Sequence, residues 1–239
     1  MQRVANRELK ARAKAELSLQ TGSYILGFVI VAVIAFIGGI PQFIASVINA
    51  MNNINAQMTD MHAQPTAMPL SWSLGFLVFT LIYGALTYAA SAGYAGMALR
   101  GLSGYTVSAV DIFSRFREFG RWALYYLIFS IRVMLWSILF VIPGIMAAYS
   151  YSQATYLMLK DPNLSGWDAI EQSTEMMSGY RIDLFLLHLS FILWILLVVV
   201  TFGLAALYVY PYVWLADAAF HRNLAGDDVE QSEVSVDFA

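Results

Sequence analysis

Cysteine is absent from this chain, and charge is scarce. Without cysteine there is no disulfide framework, no haem thioether and no thiolate zinc site. Charged residues make up 12% of the 239, against 59% hydrophobic, and the long apolar runs carry almost no charge. A soluble protein of that composition would expose large sticky patches, which excludes an ordinary soluble domain. The motifs of several enzyme classes are missing as well. There is no His-Glu-x-x-His sequence, no serine nucleophile in a glycine elbow, no phosphate-cradling glycine loop and no nucleic-acid module. No catalytic residue, cofactor site or metal site is therefore expected, and the protein is not read as an enzyme or a nucleic-acid binder.

What positive charge there is lies unevenly. Of the 13 Lys and Arg residues, all but Arg132 fall in four short stretches: Arg3 to Lys14, Arg100 to Arg121, Lys160 to Arg181, and Arg222. When each intervening apolar run is threaded across a bilayer, all four stretches land on one side. Lys and Arg near membrane spans stay on the cytoplasmic side, so both termini are predicted to lie inside. The first apolar run, from Gly22 to about Ile48, is roughly twice the length of a signal-peptide core and lacks a small-residue cleavage site, so it reads as a retained span.

The expected fold class is all-α, a polytopic membrane helical bundle of about six transmembrane helices in three hairpins, with amphipathic interfacial helices on the cytoplasmic side. The spans fall at about 23–48, 70–98, 122–141, 145–159, 183–201 and 204–221, within one integral membrane domain, 1–222. Residues 223–239 form an acidic tail with five acids and no base, expected to be disordered. Over 2–20, Leu9, Ala13 and Leu17 repeat every fourth residue and Glu8 can pair with Arg12, which predicts a basic helix along the inner surface, suited to anionic lipid. Gly38, Gly39 and Pro41 predict a kink in the first span, and 49–69 an outer loop. Small residues at Gly84, Ala85, Ala89, Ala92, Gly93 and Gly96 predict close helix packing. The fourth span, at 1.5 Å per residue, is only about 22 Å long, so Lys160 is expected to snorkel.

Two inner segments open alike. Ser108 with Asp111 and Ser165 with Asp168 each form a Ser-x-x-acid start, the pattern of a capping box. The first of these places Phe113, Phe116 and Phe119 beside Arg115, Arg117 and Arg121, an interfacial pattern. After each start come a basic residue, a span, a turn (at Pro143-Gly144 or Gly203) and a second span. The chain thus reads as parallel units of one interfacial helix plus one membrane hairpin, with the N-terminal third a looser copy.

Several of these residues resemble the signature of an uncharacterised bacterial integral membrane family, number nine-seven-five of the domains of unknown function. The pieces are Arg7-Glu8-Leu9-Lys10 with Ala13-Lys14, Ile142-Pro143-Gly144-Ile145, Tyr149-Ser150-Tyr151-Ser152 and Asp161-Pro162. They continue with Ala169-Ile170, Met177 to Gly179, Leu184-Phe185, Ser190 to Trp194, Thr201-Phe202-Gly203 and Pro211-Tyr212. His221 departs from the pattern, where an aromatic, usually Tyr, is expected. The resemblance implies a bacterial cytoplasmic (plasma) membrane protein and brings no catalytic residues with it.

Chemistry-bearing residues inside the spans are few. Arg132 lies about ten residues into span 3, and a charge at that depth requires a partner, a wet cavity or snorkelling. Tyr149, Ser152, Gln153 and Tyr156 form a polar stripe on span 4, Tyr208 and Tyr212 flank Pro211 on span 6, and His188 and Asp217 add titratable groups. Arg132, Tyr149, Gln153, Tyr156, His188, Tyr212 and Asp217 could together line a polar cavity for a head group or small solute. The alternative is that Arg132 is satisfied structurally and His188 is a packed histidine. In the outer loop, Met51, Met58, Met61, His62 and Met68 bring soft ligands together, of a kind that suits Cu(I), though Met also serves as a flexible filler. Two functions follow from this: a non-enzymatic protein that binds lipids, a partner protein or a second copy through its basic, aromatic inner face, or a small-solute transporter or lipid-translocating subunit with a cavity around Arg132.

Overall fold

The computed structural model describes residues 5–59 and 70–227, and among these every regular element is helical. Helix α1 (Asn6–Leu19) leads into α2 (Thr21–Thr59), which is followed by α3 (Leu70–Leu102), a 3-10 helix (Ala109–Glu118), α4 (Phe119–Leu139) and α5 (Val141–Tyr151). Then come α6 (Ala154–Lys160), α7 (Gly166–Met176), α8 (Arg181–Leu189), α9 (Ile192–Val200) and α10 (Ala206–Ala225). Among the described residues, three stretches are long and apolar enough to cross a membrane, Thr21–Thr59, Leu74–Leu102 and Arg181–Val200, and they point to a membrane protein. At 1.5 Å per residue, α2 is about 58 Å long, nearly twice the thickness of a hydrocarbon core.

Burial divides the molecule along these helices. The outer part is a belt of exposed apolar side chains, including Phe36 and Phe43 on α2, Ile138 on α4, Ile142 on α5 and Leu193 and Val199 on α9. No residue of α9 is buried. So large a bare apolar surface is stable only in contact with lipid. The packed core lies toward the end that carries the basic stretches, built on Ala89 to Ala98 of α3 and Val209 to Leu224 of α10.

The pairs α2–α3, α4–α5 and α9–α10 run antiparallel. Tyr83 lies against Gly38, and Tyr94 against Gly27. The rings of Phe129 and Tyr151 lie 6.3 Å apart across α4 and α5, and those of Trp194 and Tyr208 6.3 Å apart across α9 and α10. The reversal between α4 and α5 occurs at Phe140, whose backbone is extended, and not at Pro143-Gly144. Pro143 instead occupies the first turn of α5, where its missing N–H costs nothing, and Gly144 lets α5 close on Ser137. At Thr201-Phe202-Gly203 the chain reverses through two positive φ values, +51° at Phe202 and +90° at Gly203. Only the second is natural to its residue.

Other expectations change. Leu9, Ala13 and Leu17 are fully buried, and α1 packs along α10, so its apolar stripe meets protein and not lipid. Burying the two leucines contributes about 1.5–3 kcal/mol each, which a lipid-facing stripe would not add to the fold. Lys10 of α1 reaches the carbonyl of Ser190 at 2.9 Å and lies 4.1 Å from the Phe191 ring centre, and burial lowers its pKa below the usual lysine range. Residues 49–59, expected in a loop, continue α2, which is helical through Pro41. Met61, His62 and Met68 lie outside the described residues, and so does most of the acidic tail. Residues 223–225, expected in the acidic tail, belong to α10: the helix runs to Ala225, Leu224 is buried, and Gly226 at φ 81° caps it.

Both Ser-x-x-acid caps form. Asp111 Oδ2 accepts from the Ser108 N–H at 3.1 Å, and the Ser165 hydroxyl accepts from the Asp168 N–H at 3.2 Å. The element opened by Ser108 is a 3-10 helix, and its Phe113 is exposed while Ile112 is buried. Arg121, read from sequence as interfacial, is a clasp: its Nη2 donates to the carbonyls of Met158 (3.1 Å), Asp161 (2.7 Å) and Leu164 (2.9 Å), capping α6.

The 3-10 helix presses directly on α3 at Gly93, where an added Cβ would stand 2.1 Å from the Ile112 carbonyl oxygen. Backbone cannot give way as a side chain can. Gly93→Ala is expected to cost about 1–3 kcal/mol, read as a lowered Tm in detergent. Gly120→Ala on α4, with nothing within 4 Å of its Cβ position, should be neutral or slightly stabilising.

Candidate functional site

The fourth predicted span is not one helix. It breaks at Ser152-Gln153, between α5 and α6. A break inside the core frees backbone donors and acceptors that must find other partners. Ser173 of α7, fully buried, supplies them: its hydroxyl accepts from the Gln153 N–H at 3.1 Å and donates to the Ser150 carbonyl at 2.7 Å. The Gln153 side chain is fixed as well, with Oε1 3.1 Å from His221 Nδ1 and Nε2 donating to Ser152 Oγ at 2.9 Å. His221 is fully buried and stacks on Tyr156 with ring centres 4.8 Å apart, so it fills the aromatic slot and ties α10 to the break.

Beside this break lies a cavity of about 180 Å³ among α3, α5, α6, α8 and α10. Helix α3 contributes Tyr88, Ser91, Ala92 and Ala95, and the broken span contributes Ser152, Gln153, Thr155 and Tyr156. Leu184 and His188 of α8 and Trp214 and Asp217 of α10 complete the lining. His188 Nε2 lies 2.8 Å from Asp217 Oδ1, and its Nδ1 lies 3.2 Å from the Tyr149 hydroxyl. A neutral ring protonated on Nε2 donates to Asp217 and accepts from Tyr149, whereas an imidazolium donates to both. The His188 and Asp217 side chains keep 34% and 25% exposure, so the pair is reachable from outside the core. Tyr88 donates to or accepts from Thr155 Oγ1 at 2.6 Å, which binds the α3 wall to α6.

Four of the seven sequence candidates, Gln153, Tyr156, His188 and Asp217, thus line one cavity, and Tyr149 joins it through His188. Tyr212 sits among rings instead, 5.0 Å from Phe191 and 5.9 Å from Trp194. Arg132 is not part of the lining. Its guanidinium lies 3.6 Å from the ring centre of Trp167, at the start of α7, a cation–π contact. Sequence reasoning missed Ser173, Tyr88, Ser91, Thr155 and Trp214. A signal existed for the α3 wall, since Tyr88, Ser91, Ala92 and Ala95 recur at helical spacing, but small residues there read equally as packing. No group of three or more metal-ligating side chains of His, Asp or Glu occurs among the described residues. The lining can donate and accept hydrogen bonds through its hydroxyl, amide, indole and imidazole groups, and it sets a carboxyl group and an imidazole side by side.

Removing the Ser173 hydroxyl would strand the Gln153 N–H and the Ser150 carbonyl in the interior. Ser173→Ala is expected to destabilise by about 1–3 kcal/mol, with Ser173→Thr recovering part of the loss, measured as Tm in detergent. For Arg132, a double-mutant cycle of Arg132→Leu and Trp167→Ala should give a coupling of about 0.5–2 kcal/mol in stability. Additive single effects would mean that the stacked pair contributes nothing.

No curated protein and no solved structure matches the chain. One family model does, over α5 to α10 together with the end of α4, a region that includes the helix break and every cavity residue except those on α3. Residues 137–228 match the family described as Protein of unknown function (DUF975), the uncharacterised family that the sequence motifs resemble.

Proposed function

We propose that this is a non-enzymatic, six-span protein of the bacterial cytoplasmic membrane, with both termini inside, that holds a small polar solute in the cavity beside the α5–α6 break. The observation that carries this reading is the cavity itself, with a reachable His188–Asp217 pair and hydroxyl and amide groups gathered in an otherwise apolar bundle. A broken helix at a polar site is also how membrane transporters bring backbone and side-chain ligands to a substrate. The antiparallel pairing at Gly38 and Tyr83, Phe129 and Tyr151, and Trp194 and Tyr208 supports three hairpins, and the four basic stretches support a common inner side.

A second reading, partner or anionic-lipid binding at the inner face, is favoured by the exposed Tyr105, Val110, Phe113 and Trp167 near basic residues. The burial of the apolar stripe of α1 weakens it, because α1 can offer only its charged side to a membrane or partner.

The natural absence of cysteine makes the test direct. Single cysteines at Lys14, Arg117 and Asn163 should react with a membrane-impermeant maleimide only from the cytoplasmic side, and one at Asn53 only from outside. Ser91→Cys in the cavity wall should react with a small water-soluble thiosulfonate, while Ala89→Cys, fully buried on the same helix, should not. An unreactive thiol at 91 in a folded protein would mean a dry cavity and would leave the inner-face reading in its place.

A further inference from the structure

The charge inventory of the cavity is one-sided. Asp217 is the acid that lines it, and among the described residues no Lys or Arg does. An anionic ligand, a phosphate or carboxylate, would meet Asp217, and the one side chain of the lining able to become a cation, His188, is paired with that acid. Three aromatic rings, those of Tyr88, Tyr156 and Trp214, also line the space, and aromatic rings beside a carboxylate favour a weakly hydrated cation. Ser91, Ser152 and Thr155 add oxygen atoms that can accept from a ligand N–H or O–H. We infer that the ligand of this cavity is a small organic ammonium cation, anchored by Asp217 and competing with a proton on His188. This rests on the cavity-binding reading and names its ligand class.

The competition follows from the 2.8 Å contact between His188 and Asp217. With a neutral imidazole, Asp217 keeps a net negative charge that an ammonium group can neutralise. With an imidazolium, the pair is already neutral and the ammonium group meets a second cation. Ammonium binding therefore weakens on acidification, and a bound ammonium opposes protonation of His188. The other titratable groups around the pair do not replace this logic. Tyr149 from α5, Tyr156 from α6 and Tyr88 from α3 are phenols, neutral across this range. Lys10 of α1 is directed at the Ser190 carbonyl and the Phe191 ring, and Lys160 at the end of α6 is paired with Asp227. His221 on α10 is held against Gln153 and Tyr156, and Arg181 and Asp183 stand at the start of α8, outside the lining.

The test is calorimetric titration of the full-length protein in nanodiscs with choline, tetramethylammonium and the uncharged tert-butyl analogue of choline. Choline and tetramethylammonium are expected to bind, the uncharged analogue about tenfold or more weaker, and Asp217→Asn to lose choline binding by a similar factor. Between about pH 8.5 and pH 6 choline affinity should fall in the wild type and stay level in His188→Gln, which keeps a hydrogen bond to Asp217 but carries no titrating proton. His188→Gln keeps the proposal testable should Asp217→Asn fail to fold. Equal binding of choline and its uncharged analogue would overturn the ammonium assignment and leave the cavity reading standing, as would a water-reactive thiol at Ser91→Cys with no binding of any probe. A pH-independent choline affinity in the wild type would overturn the competition with His188. No binding together with an unreactive thiol at position 91 would overturn both readings.

Discussion

One hydroxyl governs the shape of the site. Where the helix breaks at Ser152-Gln153, the interior leaves no water to take up the freed backbone groups, and Ser173 from α7 takes up two of them. The break redirects the chain, so that Ser152, Gln153, Thr155 and Tyr156 all reach the same cavity, which residues on one straight helix would do only in part. Because the serine belongs to α7, the break also fixes how α7 sits against α5. From α7 the constraint passes outward: Gly166 lies against Tyr125, and Trp167 receives the Arg132 guanidinium. A charge that looked like a site residue is thereby held as part of the scaffold.

The structure also separates two tasks along its length. The outer part of the bundle is apolar on its surface and thin in its packing, as lipid contact demands. The end that bears the basic stretches carries the dense core, the capped helix starts and the clasps made by Arg121 and Lys10. Stability therefore comes mainly from the end that bears the basic residues. The cavity lies in that half, between helices with many buried contacts on one side and the exposed belt on the other. A site in this position can be reached while its walls stay fixed.

Much of this was legible in the sequence where a local or one-dimensional rule applies. Ser108 with Asp111 forms a capping box, and Ser165 caps α7 through the Asp168 N–H, because such caps are satisfied within four residues. The helical class and the membrane setting follow from apolar length, and His188, Asp217, Gln153 and Tyr156 were singled out because polar groups in apolar runs are costly. Reading failed where two surfaces compete for the same stripe. Leu9, Ala13 and Leu17 suit a membrane surface and a protein surface equally, and only the presence of α10 decides between them. Pro143-Gly144 looked like a turn because both residues favour turns, yet Phe140 makes the reversal, leaving the proline to start α5 and the glycine to admit a close neighbour.

Residue order alone specifies an apolar setting for this chain, its helical class and the short list of polar residues that need partners. These are set by composition, periodicity and the high cost of unpaired polar groups in an apolar medium, all of which act residue by residue. The identity of those partners comes from the packing of the helices: Trp167 for Arg132, Asp217 and Tyr149 for His188, and Ser173 for a helix break that no spacing rule marks. Each of these pairs joins residues that are far apart in the chain. Contacts of that kind depend on how whole helices pack, which local pattern cannot express.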